Sequence, residues 1–210
     1  MLQFDHVQKN YGSFLAVDIP FLKIEEGVWW LQGENGSGKT TFLKMIAGLH
    51  PFTGSIMLQG KLNIKKQRRQ FVQLVNYAEA EPLYPSFLTA KDLVELYCET
   101  KGGDILVAQQ LLQQLHVYDA YNNPIGSYSS GMIKKVSLVL AFIGHPKVIL
   151  LDEPLITIDT AAVDTICRII NDSYKNGISF IISSHQAVQS EQLVFTGKLR
   201  AKNRSIYKND

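Results

Sequence analysis

Three short apolar runs, each cut off by polar residues, set the plan of the chain. Val28-Trp29-Trp30-Leu31 follows Gly27 and enters a glycine-rich turn, and Val148-Ile149-Leu150-Leu151 stops at Asp152-Glu153-Pro154. Ile178-Ser179-Phe180-Ile181-Ile182 stops at Ser183-Ser184-His185. Runs of this length and composition read as strands buried on both faces. After the glycine-rich turn, Thr40 to Ala47 places its apolar residues at helical spacing, so the first unit reads strand, loop, helix. Buried strands separated by helical stretches predict an α/β fold with a mostly parallel sheet covered on both sides. Ligands of such sheets bind beyond the carboxyl ends of the strands, so Lys39, Asp152 and His185 are expected to converge there.

Two stretches follow other patterns. Phe4 to Val7, Ala16 to Ile19 and Ser55 to Leu58 are short and alternate in places, with Gly12, Gly54 and Gly60 between them, which predicts a small antiparallel β subdomain. From Leu83 to Ala141 the pattern is helical, at Ala90 to Thr100 and Ile105 to Leu115, with no clear strand. The expected organisation is one domain over 1–210, with a core from 1–82 and 142–210 and an inserted α-helical subdomain at 83–141. No internal repeat or low-complexity linker interrupts it.

Composition changes this picture little. In 210 residues, 46% are apolar and 19% charged, which fits an ordinary globular chain and argues against fibrous or low-complexity structure. A net charge of +2 is too small for a nucleic-acid groove, and no nucleic-acid partner is expected. The basic cluster Lys65-Lys66-Gln67-Arg68-Arg69 reads as a solvated face beside a turn. Cys98 and Cys167 lie far apart without a metal-ligand spacing, which points to reduced thiols. The start of the sequence lacks the basic-then-apolar pattern of a secretory signal, so a cytoplasmic location is expected. The longest apolar stretch, Val136 to Ile143, falls well short of the roughly 20 residues of a membrane span. If the chain serves a membrane, another chain crosses it.

The chemistry concentrates in Gly33-Glu34-Asn35-Gly36-Ser37-Gly38-Lys39-Thr40. Gly33, Gly38, Lys39 and Thr40 satisfy G-x-x-x-x-G-K-[ST] between a predicted strand and a predicted helix, the context a phosphate loop requires. Glycines let backbone N–H groups turn inward, and the helix N-terminus adds positive potential. Gly33, Asn35, Gly36, Ser37, Gly38, Lys39, Thr40 and Thr41 are the expected nucleotide-binding residues, with Lys39 at the β/γ-phosphates. Thr40 and Asp152 are the expected ligands of Mg²⁺, an ion that takes oxygen donors. Glu153 is expected to polarise the attacking water, and His185 to contact the γ-phosphate.

Gly33 to Thr40, Tyr128-Ser129-Ser130-Gly131-Met132, Leu151-Asp152-Glu153-Pro154, Asp159 and His185 occur in the order seen in ATP-binding cassette (ABC) proteins, which the chain resembles over essentially its whole length. The resemblance implies a P-loop NTPase core. It makes Ser129, Ser130 and Gly131 a signature motif that contacts the ATP held by an opposite subunit. Tyr11 would then stack on adenine, and Asp159 would couple the two sites across the dimer. The motif usually reads Leu-Ser-Gly-Gly-Gln; Tyr-Ser-x-Gly-Met followed by Lys134-Lys135 resembles a variant of exporter cassettes. Within Asn76-Tyr77-Ala78-Glu79-Ala80-Glu81-Pro82, Ala80 stands where the family places a glutamine.

The function this implies is ATP hydrolysis with Mg²⁺ by the nucleotide-binding subunit of an exporter. It would act as a homodimer, or a dimer with a related cassette, on the inner face of the cell membrane, driving a separate transmembrane permease. Two alternatives compete with it. One is a soluble ATP switch unconnected to transport, and the other is a cassette that binds ATP but turns over slowly because of Ala80.

Overall fold

The computed structural model describes residues 1–184 and 193–209. In chain order the regular elements begin with β1 (Leu2–Tyr11), β2 (Phe14–Ile24), β3 (Val28–Gln32), α1 (Lys39–Ile46), β4 (Thr53–Leu58), β5 (Leu62–Asn63), α2 (Arg68–Leu74) and β6 (Val75–Ala78). There follow α3 (Ala90–Lys101), α4 (Ile105–Gln114), α5 (Ser130–Phe142), β7 (Val148–Asp152), α6 (Thr160–Lys175), β8 (Ser179–Ser184), β9 (Gly197–Lys202) and β10 (Ser205–Lys208). Two 3-10 turns, Tyr118–Ala120 and Ile125–Ser127, lead from α4 to α5.

The apolar runs form the strands expected of them. β3, β7 and β8 lie side by side in a six-stranded sheet of order β10-β9-β3-β8-β7-β6. Val28 pairs in parallel with Phe180, and Val148 with Ser179. Only β10 runs antiparallel, against β9. The smaller sheet, β2-β1-β4-β5, is antiparallel throughout.

Alternation along the buried strands divides the core in two, because successive side chains of a strand face opposite ways. Val28, Ile149, Leu151, Phe180 and Ile182 join the cluster that includes residues of α3, α4, α5 and α6. Trp29, Leu31, Val148, Leu150 and Ile181 join the cluster of α1 and the antiparallel sheet. Phe42 of α1 meets Phe4 of β1 in the second cluster, with ring centroids 5.1 Å apart. That contact seats the helix after the glycine-rich loop on a rigid base.

Several elements escaped the sequence pattern. The stretch from Val75 to Ala78 forms strand β6, parallel to β7. Asn76 broke the apolar run there, yet it is buried, because its Nδ2 donates to the carbonyls of Ala141 and Ile143 at 2.8 Å each. β9 and β10 hid behind alternating basic residues, with Leu199 and Ala201 facing inward. The basic cluster at 65–69 is exposed as expected, but it opens α2, and Lys65 and Arg68 donate to the carbonyls of Gly54 and Gly48. α5 ends at Phe142, with Lys134 to Ala141 buried. Among the described residues no helix is long and apolar enough to cross a membrane.

Phe42 is fully enclosed, so Phe42→Ala should lower stability by about 3–5 kcal/mol, the usual cost of truncating a buried aromatic ring. A reduced midpoint in urea denaturation followed by circular dichroism is the expected readout.

Candidate functional site

The link from β3 to α1 folds as a cradle. Gly36 and Gly38 take φ of 76° and 99°, values that favour glycine. At Gly33 a Cβ would come within 2.5 Å of Ser37 Oγ and 2.7 Å of the Ala201 carbonyl oxygen. α1 starts at Lys39 without a side-chain cap and without an acidic residue in its first turn. Its first N–H groups therefore keep their positive potential for a ligand. Lys39 is 7% exposed, and its ammonium donates to the carbonyls of Gly33 at 2.7 Å and Glu34 at 3.1 Å, which places the charge inside the loop.

Beside this loop lies a cleft of about 280 Å³. Its walls are Asn35 to Thr41, together with Tyr11, Phe14, Ala16 and Glu153. Tyr11 ends β1 and is 46% exposed, with its hydroxyl 3.4 Å from Thr41 Oγ1 and Lys9 Nζ 4.6 Å from its ring centroid. The cleft thus brings Tyr11, Asn35 to Thr41 and Glu153 together. His185 lies outside the described residues.

The carboxyl end of β7 is held by partners that the motifs did not announce. Asp152 has no exposed surface, and its two oxygens accept from the hydroxyls of Tyr77 at 3.2 Å and Ser183. Burial, followed by the Asp152 charge, pushes the Tyr77 phenol far above its ordinary value, so it stays a donor. Glu153 follows at φ 46°, and its N–H donates to Ser183 Oγ at 3.0 Å. Lys134 of α5 is 1% exposed and donates to the carbonyls of Asp152 at 2.9 Å, Glu79 at 2.7 Å and Ala80 at 3.0 Å. Burial lowers its pKa to about 8, against the opposing pull of Asp152, Glu153, Glu79 and Glu81.

Tyr77, Ser183 and Lys134 were missed because each lies in or beside an apolar stretch and finds its partner far away in sequence. The available signal was Lys134-Lys135 directly before the apolar run of a helix, where a solvated lysine is out of place. Ala80 has no side chain to offer a metal, although Glu79 and Glu81 flank it in this turn. Its carbonyls are bound by Lys134, and the Glu79 carboxylate sits 3.6 Å from Lys44 of α1.

The segment Tyr128 to Met132 forms a separate surface. Ser129 caps α5, accepting from the Met132 N–H at 3.2 Å, and Ser129 and Ser130 are exposed. A Cβ on Gly131 would come within 2.8 Å of the Thr157 carbonyl oxygen, so this turn packs tightly on the loop before α6. None of the three lines the cleft at Lys39. Asp159 caps α6, accepting from the Ala162 N–H at 2.9 Å, and pairs with Lys135 of α5.

The match of the ABC transporter family model to residues 21–156 spans the glycine-rich loop, the Ser129–Gly131 turn and the acidic pair. The chain belongs to the ABC transporter family. The cassette is 30% identical to ATP-binding cassette sub-family A member 2 of Rattus norvegicus, over 95% of its own length but only 9% of that much longer relative. It is 28% identical to the lantibiotic transport ATP-binding protein SrtF of Streptococcus pyogenes, over 95% of its own length and 89% of that relative. A solved ATP-binding subunit of an ABC transporter superposes with a TM-score of 0.88 at 21% identity, covering 99% of the cassette and 89% of that chain. The P-loop NTPase fold expected from the sequence is thereby established.

The cassette's donors fit a hard divalent ion that is shared with a phosphate. Among the described residues no group of three or more His, Cys, Asp or Glu could hold a metal. Mg²⁺ characteristically takes one or two protein oxygens and completes its shell with water and phosphate oxygen. Thr40 at the exposed start of α1 and Asp152 at the end of β7 are such donors, and Ser37 Oγ is enclosed in the loop without a partner.

Asp159 generates a pH-dependent prediction. The bond from Lys135, then the Ala162 N–H, hold its carboxyl down to about 2 from 3.8. A depressed native value gives stability that is complete above the unfolded value and lost as pH falls through the native one. Asp159→Asn should therefore show a lower urea midpoint than the wild type at neutral pH, with the gap narrowing as pH drops from 3.8 toward about 2.

Proposed function

We propose that this cassette is the ATP-hydrolysing subunit of an exporter, closing as a dimer around two ATP molecules to drive a separate transmembrane permease. The observation that carries this reading is the position of Glu153 in the wall of the cleft formed by the loop that encloses Lys39. A carboxylate there can take the proton of a water attacking the γ-phosphorus. The reaction is ATP + H₂O → ADP + phosphate.

Binding falls to Gly33, Asn35, Gly36, Ser37, Gly38, Lys39, Thr40 and Thr41. Their inward N–H groups and the Lys39 ammonium meet the β- and γ-phosphates, while Tyr11 offers its exposed ring to adenine. Thr40 and Asp152 would hold Mg²⁺, which when bound neutralises charge on the phosphate oxygens. His185 directly follows Ser184 in the sequence and is assigned a γ-phosphate contact.

Separation within one chain supports the dimer. Ser129, Ser130 and Gly131 sit at an exposed helix start away from the cleft, and a second copy would bring them to the γ-phosphate as further donors. Asp159, anchored on Lys135 at the neighbouring helix start, would couple the two sites. Residues 83–141 serve as the helical subdomain that meets the permease. In support, Phe87 is 76% exposed, and Leu83, 91% exposed, lines a groove of about 380 Å³ with Leu49, Tyr77, Tyr84 and Tyr97. Docking there would hold the cassette on the cytoplasmic face of the membrane. The exporter direction rests on the Tyr-Ser-x-Gly-Met signature.

Glu153→Gln should reduce ATP hydrolysis by about 10²-fold or more, the usual contribution of a general base, while leaving ATP binding intact. Unchanged turnover would remove Glu153 from the role of base. With ATP added, the same variant should elute as a dimer in size-exclusion chromatography. Lys39→Ala should instead weaken nucleotide binding itself, measurable by titration with a fluorescent ATP analogue.

A further inference from the structure

The peptide group between Asp152 and Glu153 is gripped at both ends. Its carbonyl oxygen accepts from Lys134 Nζ at 2.9 Å, and its N–H donates to Ser183 Oγ at 3.0 Å. One grip comes from α5 and the other from β8. The φ that follows is 46° at Glu153, in the left-handed region that a residue with a side chain holds only where its surroundings over-determine it. Rotation of this one planar unit would release Glu153 to an ordinary φ and loosen the backbone from which its side chain reaches the cleft.

Lys134 is suited to fixing that unit. Its ammonium has three hydrogens, and three carbonyl oxygens receive it, those of Asp152, Glu79 and Ala80. A buried ammonium is costly unless its donors are satisfied, so none of the three contacts can be given up freely. Two of the acceptors lie in the turn after β6, and that turn is tied to α1 through Lys44 and Glu79. The group therefore sits where α5, the end of β7 and the turn beside α1 meet.

We propose that Lys134 is a positioning residue for hydrolysis. It fixes the Asp152–Glu153 peptide in the orientation that keeps Glu153 at left-handed φ and its carboxylate in the wall of the nucleotide cleft. The proposal rests on the hydrolytic role of Glu153 given above, and it adds the residue that aims that side chain. Lys134 does not line the nucleotide cleft. Its removal should therefore act on the chemical step and leave binding alone.

Lys134→Met retains most of the stem and removes the donors. It should lower kcat by about 10-fold or more while KM for ATP and the Kd of a fluorescent ATP analogue stay within about 2-fold of the wild type. Lys134→Gln, whose amide keeps two donors, should recover part of the lost kcat. An unchanged kcat, or a loss confined to KM, overturns the proposal. Amide hydrogen exchange followed by NMR supplies a second readout that needs no turnover and holds even if the Met variant does not fold. The Glu153 N–H should be protected in the wild type and exchange faster in Lys134→Gln. A Glu153 amide that exchanges like an open loop in the wild type, or equally slowly in both proteins, also overturns it. If the wild type proves unable to hydrolyse ATP, the hydrolytic reading falls while exchange at Glu153 still decides whether Lys134 holds this peptide.

Discussion

Asp152 is a carboxylate with no exposed surface at the carboxyl end of a strand buried along its whole length. A charge in that position must be answered on every side, because an unsatisfied buried carboxylate would cost more than a domain of this size has in reserve. The surrounding architecture supplies the answer. β6 brings the Tyr77 hydroxyl, β8 brings the Ser183 hydroxyl, and α5 brings the Lys134 ammonium to the same residue's carbonyl. Each donor comes from a different element, so the sheet order and the placement of α5 are conditions for the acid being there at all.

The same arrangement separates two surfaces. The loop around Lys39 belongs to the β3–α1 unit, seated on the antiparallel sheet through Phe4 and Phe42. The Ser129–Gly131 turn starts the helix that passes beneath β6 and β7, and it is pressed against the loop before α6. A side chain on either glycine, Gly33 or Gly131, would meet backbone carbonyl oxygen at less than contact distance. Close backbone approach, more than turn flexibility, is what these two positions demand.

Much of this was legible from residue order. The apolar runs at 28–31, 148–151 and 178–182 gave three central strands and their parallel sense, because a strand covered on both faces has no polar alternation to confuse the reading. The phosphate loop was legible because its glycines, lysine and threonine sit at fixed local spacing. β6 was not, since Asn76 interrupts a four-residue strand and is tolerated only because two carbonyls at the end of α5 accept its amide. β9 was masked by lysine and arginine on its outer face, although Leu199 and Ala201 complete the sheet.

The sequence by itself determined the local chemistry: the cradle at Gly33 to Thr40, the acids at the end of β7 and the family to which they belong. Each depends on neighbours within a few residues, so spacing along the chain is enough to reveal it. Tertiary structure alone decided which isolated polar residues support that chemistry. Tyr77, Lys134 and Ser183 reach Asp152 from 75, 18 and 31 residues away. Apart from the lysine pair before the apolar run of α5, no local pattern distinguishes them from solvated side chains until packing removes the water and leaves Asp152 as their partner.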